Sequence, residues 1–374
     1  MRYIDPSTSR TKLPKLPKPG VEFYVAPDGD DDSAGTPQAP FATPGRARDA
    51  IRMLKRDEGL PRGGAAVILR GGEYRLEETF RLTAEDSGRE DAPIVYRAAE
   101  GEVPRLNGGA SIVGFRPVRR KDVLARLPQG ARRGVLAVEL RDCGIGDFGV
   151  LRPNGFGWPF HPVPELYFDG RPMRLARYPN DGYVRTGEVF EQGPNRSDGI
   201  IFRYEGERPD RWGEPDRAWL HGYWKNPWSD YYLAVESVDV RGGRIVAAHR
   251  PHFGVEPDAG YYYLNVLEEL DSPGEWYIDR ERGVLYFYAP SEPAAAAVEF
   301  PVVNGPLVRL GGASHVQLRG LTVEYGRSHG IVIEGGEESV VSASEIRRVA
   351  GTGVVVEGGK NHTVLGSDLH TLGW

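Results

Sequence analysis

Glu345 and Asp368 stand 23 residues apart, and so do Arg347 and His370. In a chain that stacks one coil per 23 residues, such pairs lie on neighbouring strands, about 4.8 Å apart. Two outward ladders follow: Thr322, Glu345, Asp368 on one, and Glu324, Arg347, His370 on the other. Carboxylates one rung apart approach the ~5–5.5 Å separation of a retaining glycosidase, where one attacks the anomeric carbon and the other protonates the leaving oxygen. Close like charges also raise one of the two pKa values, as a general acid requires. The competing reading is a solvated charged ladder offset by Arg347. Asp368 and Glu345 are the expected catalytic residues; His370, Arg347 and Glu324 are expected to bind substrate.

A second group holds Trp219, His221, Tyr223, Trp224, Trp228, Asp230, Tyr231 and Tyr232, the densest aromatic cluster in the chain. Aromatic rings suit the C–H faces of sugars, and His or Asp beside them fixes hydroxyls. Asn226 and Pro227 suggest a loop. His221, Trp224, Trp228 and Asp230 are therefore expected to form a wall of the sugar site; the rival reading is a β-domain core.

Other patterns fail on spacing. Asp28, Asp30 and Asp32 imitate the first ligands of a calcium loop, but Ser33 and Ala39 occupy the positions that need Gly and Glu. No cofactor and no metal is expected, with calcium as a weak possibility. Gly144-Ile145-Gly146-Asp147-Phe148-Gly149 matches a dinucleotide fingerprint on paper. Pro153, Gly155, Gly157 and Pro159 forbid the helix that a pyrophosphate needs. No nucleophile-elbow serine and no zinc-spaced histidine pair is present.

The elements that position the ladders are legible from Gly305 onward. Val308, Ile331 and Val354 fall in register, as do Leu310, Ile333 and Val356, then Leu318, Val341 and Val364, then Val323, Ile346 and Leu369. Glycine pairs follow the first strand of each block: Gly311-Gly312, Gly335-Gly336, Gly358-Gly359. The runs alternate with period two and are rich in Val, Ile and Leu, so each block is built of strands. A stacked repeat of this length made of strands is a parallel β-helix, right-handed because parallel crossovers almost always are.

Upstream, Thr43-Pro44 gives an N-cap and first-turn proline, Ala47, Ala50, Ile51 and Leu54 an apolar face, and Gly59 a stop. This helix is expected to cap the open end of the stack. Short strands at 66–69, 79–82, 94–97 and 105–106 read as first coils. From 110 to 300 the repeat is lost, and six of the seven tryptophans lie there. The expected fold is thus all-β: an extended arm at 1–20, a cap and first coils at 21–109, an inserted sandwich-like β domain at 110–300, and three regular coils at 301–374. The sequence stops at Trp374, at the end of a coil, with nothing that resembles a cap, so a longer natural chain, and self-association through the uncovered C-terminal coil, are expected.

A net charge of -6 and the lack of any basic patch interleaved with aromatics argue against nucleic acid and anionic membrane surfaces. Cys143 is the sole cysteine, which precludes an internal disulfide. No apolar run approaches the ~20 residues of a membrane span. With no apolar leader the chain as written reads as cytoplasmic; a secreted protein stripped of its leader would look the same.

Several segments together carry a resemblance. They include Leu69-Arg70-Gly71-Gly72-Glu73-Tyr74, Pro93-Ile94-Val95-Tyr96-Arg97-Ala98 and Tyr167-Phe168-Asp169-Gly170. More specific are Trp219-Leu220-His221-Gly222-Tyr223-Trp224 and Leu267-Glu268-Glu269-Leu270-Asp271 with Gly274-Glu275-Trp276-Tyr277. From Phe23 to Trp374 the chain resembles the right-handed parallel β-helix proteins grouped with carbohydrate-active enzymes, and among them glycoside hydrolase family 141. The resemblance implies hydrolysis of plant-type polysaccharide, of the fucosidase or xylanase kind, with further coils completing the site. Two alternatives stay open: a binding module without a catalytic pair, and a polysaccharide lyase. A lyase would need carboxylates for Ca²⁺ and a Lys or Arg base; Arg319, Arg327, Arg347, Arg348 and Lys360 are available, without a clear acidic cluster.

Overall fold

The computed structural model describes Leu13 and residues 15–373. Most of the expected arm, 1–12 and 14, lies outside the described residues, as does Trp374. The chain divides into two compact units: Met1–Gly109 with Pro301–Trp374, and Ala110–Phe300.

The first unit is built from three parallel sheets. One runs Val21–Val25, Ala65–Leu69, Ile94–Ala98, Val316–Arg319, Val340–Ser342, Thr363–Leu365. A second runs Phe80–Thr83, Val308–Gly311, Ile331–Glu334, Val354–Glu357, and the third Gly72–Arg75, Pro104–Asn107, Thr322–Gly326, Glu345–Val349, Asp368–Leu372. The pairing is the one the repeat demands: Val308 with Ile331 and Ile331 with Val354, then Leu318 with Val341 and Val341 with Val364. This is the arrangement of a parallel β-helix. The coil before residue 110 stacks directly on the coil after 300: Leu82 pairs with Leu310, Tyr96 with Leu318, and Leu106 with Val323.

Inward residues of all three sheets form one core, including Val67, Leu82, Tyr96, Leu106, Leu310, Leu318, Val323, Ile333, Val341 and Ile346. At one corner Gly320, Ala343 and Gly366 all take positive φ, 71°, 48° and 57°. A left-handed residue there turns the chain from one sheet to the next within two residues. Serines then satisfy the corner: Ser344 Oγ accepts from Leu321 N at 3.2 Å, and Ser367 Oγ from Ser344 N at 3.2 Å. The helix Pro44–Asp57 starts where Thr43 Oγ1 accepts from Arg46 N at 3.1 Å, and its Ala47 and Ile51 join the same core.

The second unit holds two sheets, mostly antiparallel. In one, the order is Asn154–Gly155, Tyr231–Asp239, Trp219–Tyr223, Gly260–Leu264, Val184–Gln192, Ile200–Tyr204, Arg244–Ala247, and the last strand pairs back onto Tyr231–Asp239. This sheet therefore closes on itself. Its interior is filled by Phe202, Leu220, Trp224, Tyr231, Leu233, Tyr261 and Tyr263. The other sheet is reached at both ends of the unit, because Gly109–Ser111 and Val298–Pro301 are neighbouring strands in it.

The segment 267–275 is a buried ionic anchor. Glu268 takes Arg126 Nε at 2.7 Å and Gly213 N at 2.8 Å, while Glu269 takes Arg208 and Arg211 at 2.9 Å each and Trp212 Nε1 at 2.9 Å. These ion pairs and hydrogen bonds offset the cost of burying Glu268 and Glu269.

Candidate functional site

The third sheet of the first unit carries the two outward ladders in the expected register. Thr322 pairs with Glu345 and Glu345 with Asp368, while Glu324 pairs with Arg347 and Arg347 with His370. The columns continue upward through Arg105 and Glu73, and through Asn107 and Arg75. Charge alternates along them. Arg105 lies 3.6 Å from Glu73 and 3.7 Å from Glu324, and Arg347 Nε donates to Glu324 Oε2 at 2.8 Å.

Glu345 Oε1 receives Arg347 Nη1 at 2.8 Å and lies 2.9 Å from His370 Nε2. Partial burial works against its charge. The hydrogen bond to His370 and the charge and hydrogen bond of Arg347 outweigh it, and hold the Glu345 carboxyl below the usual carboxylate range. The ion pairs also hold the Arg347 guanidinium firmly charged despite its burial. Asp368, half-buried, occupies the next rung of the same face.

Glu324 departs from expectation. It is fully buried, enclosed by Arg105, Arg347 and Arg348, where the sequence predicts an exposed, substrate-facing carboxylate. The cause lies in the backbone. Arg348 takes φ 53° and breaks the strand alternation, so Arg347 and Arg348 both reach Glu324 Oε2, at 2.8 and 2.7 Å. Glu324 is the hub that aims Arg347 at Glu345.

In the second unit, His221 and Asp230 come together, with His221 Nε2 3.0 Å from Asp230 Oδ2. Trp228 is 60% exposed and touches Phe156 and Phe253, with ring centroids 5.2 Å apart in each case. Trp224 departs from expectation: it is fully buried inside the closed sheet, stacked on Tyr261 at 5.4 Å, with Nε1 donating to Tyr231 O. The alternation Leu220, Gly222, Trp224 continues the inward face, and that parity was the signal for it. Tyr183, Tyr262 and Arg177 join the neighbourhood of His221 from distant stretches of chain, which no local pattern announces. Among the described residues no three His, Cys, Asp or Glu side chains gather where a metal ion would be held, and no helix is long and apolar enough to cross a membrane.

No family model matches the chain. Pectate lyase PEL9 of Emericella nidulans is 37% identical over 88 residues, which are 24% of this chain and 18% of that protein. The matched stretch is thus under a fifth of the curated relative's length. Among solved structures, a protein described as a glycoside hydrolase superposes with a TM-score of 0.67 at 19% identity, covering 90% of this chain and 67% of that one. The likeness at that identity shows a shared fold. XylC in complex with xylose is similar at a TM-score of 0.36 and 12% identity, over 88% of this chain and 42% of that one.

Proposed function

We propose that this chain is a carbohydrate-active protein of the β-helix type, a glycoside hydrolase working on plant-type polysaccharide through Glu345 and Asp368. One observation carries the reading: two carboxylates occupy adjacent rungs of one outward face, and one of them is held ionised by Arg347 and His370. An ionised Glu345 suits the nucleophile, which must be a carboxylate when the sugar arrives. Asp368 then protonates the leaving oxygen and later takes a proton from the attacking water, so that the net reaction is hydrolysis with retention. Arg347 and His370 keep Glu345 in place. The helix Pro44–Asp57, with Ala47 and Ile51 in the core, serves in this reading as the cover of the first coil.

A second reading, β-elimination on a uronate polymer, is favoured by the similarity to pectate lyase PEL9. Incubation with xylan and with polygalacturonate separates them. Hydrolysis releases reducing ends with no new ultraviolet absorbance, whereas elimination leaves an unsaturated, absorbing sugar. New reducing ends that vanish in Asp368→Asn support the hydrolase; an absorbing product, or turnover unchanged in both Asp368→Asn and Glu345→Gln, overturns it.

A further inference from the structure

The outer face of the closed sheet in the second unit carries a constellation of aromatic rings around His221. Three neighbouring strands set His221 between Tyr232 and Tyr262, in register with both. The two tyrosine rings lie 4.1 and 4.9 Å from the His221 ring, centroid to centroid. Tyr223 lies two residues further along the same strand, hence on the same face, with its ring 6.2 Å from His221. Tyr183 ends the row, 6.1 Å from Tyr223 and 6.0 Å from Tyr262. Tyr183 and Tyr223 are 46% and 37% exposed, and together they line a cavity of about 320 Å³ that reaches Ala259 and Gly260. That is the lower end of small-ligand pockets and matches one or two sugar rings.

The polar half of the constellation is the His221–Asp230 pair. His221 is only 7% exposed, and its Nδ1 is buried without a hydrogen-bond partner among the described residues. A buried polar atom left so is costly to the fold and calls for an explanation. The hydrogen bond to His221 holds the Asp230 carboxyl below the usual range, so it is an acceptor at neutral pH.

We propose that this face is a glycan-binding site in its own right, taking a neutral pyranose against Tyr223 and Tyr183 with a hydroxyl at Asp230, which His221 holds in place. Partially exposed tyrosines present the flat apolar surface that the C–H face of a pyranose covers, and a carboxylate beside them accepts from hydroxyls. The surrounding charges favour a neutral ligand. Asp230 would repel a uronate carboxylate. Arg177, whose guanidinium lies 3.6 Å over Tyr262, already spends Nε and Nη2 on the Pro179 and Gly182 carbonyls. At the cavity rim Lys225 is paired with Glu256 at 2.8 Å, and Arg185 with Asp258 at 3.9 Å.

Calorimetric titration of the full chain tests this, with xylohexaose, cellohexaose and hexagalacturonate as probes. The measurement uses a Glu345→Gln/Asp368→Asn background, so that turnover neither consumes the probe nor decides the result. At least one neutral hexaose is expected to bind, at least tenfold more weakly after Tyr223→Ala or Asp230→Asn, with hexagalacturonate neither binding nor competing. Tyr223 is partly exposed, so its loss leaves the fold intact, and an unchanged melting temperature for each variant confirms that. Three results overturn the proposal: no neutral hexaose binds, affinity is the same in both variants, or hexagalacturonate binds more tightly than either neutral probe. None of them bears on whether Glu345 and Asp368 hydrolyse anything, which is read from turnover.

Discussion

Glu345 and Asp368 occupy adjacent rungs of the third sheet, yet Glu345 is the one bound by both Arg347 and His370 through a single oxygen. On the proposed mechanism the asymmetry makes Glu345 the nucleophile and Asp368 the acid. Glu345→Gln keeps the shape and removes the charge that attacks, so kcat/KM should fall at least a hundredfold or so while KM changes little. Steady-state kinetics on the susceptible polysaccharide measure this; a raised KM with kcat unchanged would make Glu345 a binding residue.

The same asymmetry predicts a pH effect. His370 helps hold the Glu345 carboxyl below its ordinary range, so the nucleophile stays ionised into mildly acid solution. His370→Ala removes that help, and the Glu345 pKa rises. The acidic limb of the kcat/KM profile should therefore move to higher pH, with activity near neutrality largely kept. A pH–rate series on both proteins checks it; His370 is exposed, so the fold should not intervene.

Glu275 gives the opposite sign. Burial pushes its carboxyl up to about 7, against the hydrogen bonds from Asp271 N and Ser272 N that favour the charge. Between the unfolded value near 4.5 and the folded value near 7, the native state holds a proton that the unfolded chain releases. Stability is therefore lost as pH rises through that window. Glu275→Gln, which cannot ionise, should match the wild type at pH 4 and exceed it at pH 8 by up to roughly 3 kcal/mol. Melting temperatures across that range decide it, and a constant difference would refute it.

Val341 and Val364 are register partners with the same side chain, but Val341 is 0% exposed and Val364 44%. Val341→Ala should destabilise by about 2 kcal/mol, from two lost methyl groups and the cavity left behind. Val364→Ala should lose less than half of that. Paired denaturant titrations give both numbers, and equal losses would mean that Val364 is covered in solution.

How much of this was legible in the sequence depends on the distance between cooperating residues. Val308, Ile331 and Val354 announce their pairing because the same inward position recurs with the same apolar chemistry. Leu82 is an inward strand residue by its neighbours, but nothing local says that it pairs with Leu310 across the whole second unit. The adjacent rungs of Glu345 and Asp368 followed from register alone. The burial of Glu324 did not, because it depends on the left-handed turn at Arg348, and Tyr325, Arg348 and Thr371 share that conformation without sharing any chemistry. In the second unit a crowd of aromatics along the chain looked like one surface. Strand parity divides it, with Trp224 and Tyr231 turned inward and His221 and Tyr232 outward.

The chain departs for the second unit along Gly109–Ser111 and returns along Val298–Pro301, and those strands are hydrogen-bonded neighbours. Val302 N donates to Gly108 O at 2.9 Å just outside that point. Exit and return are thus one strand spacing apart, about 4.8 Å. The locus has the geometry of a socket: a short linker is long enough to span it, and a module whose own ends emerge side by side matches its spacing. A lineage built on such a scaffold can exchange what it carries there by recombination, and a protein engineer can do the same by cutting at 110 and 300.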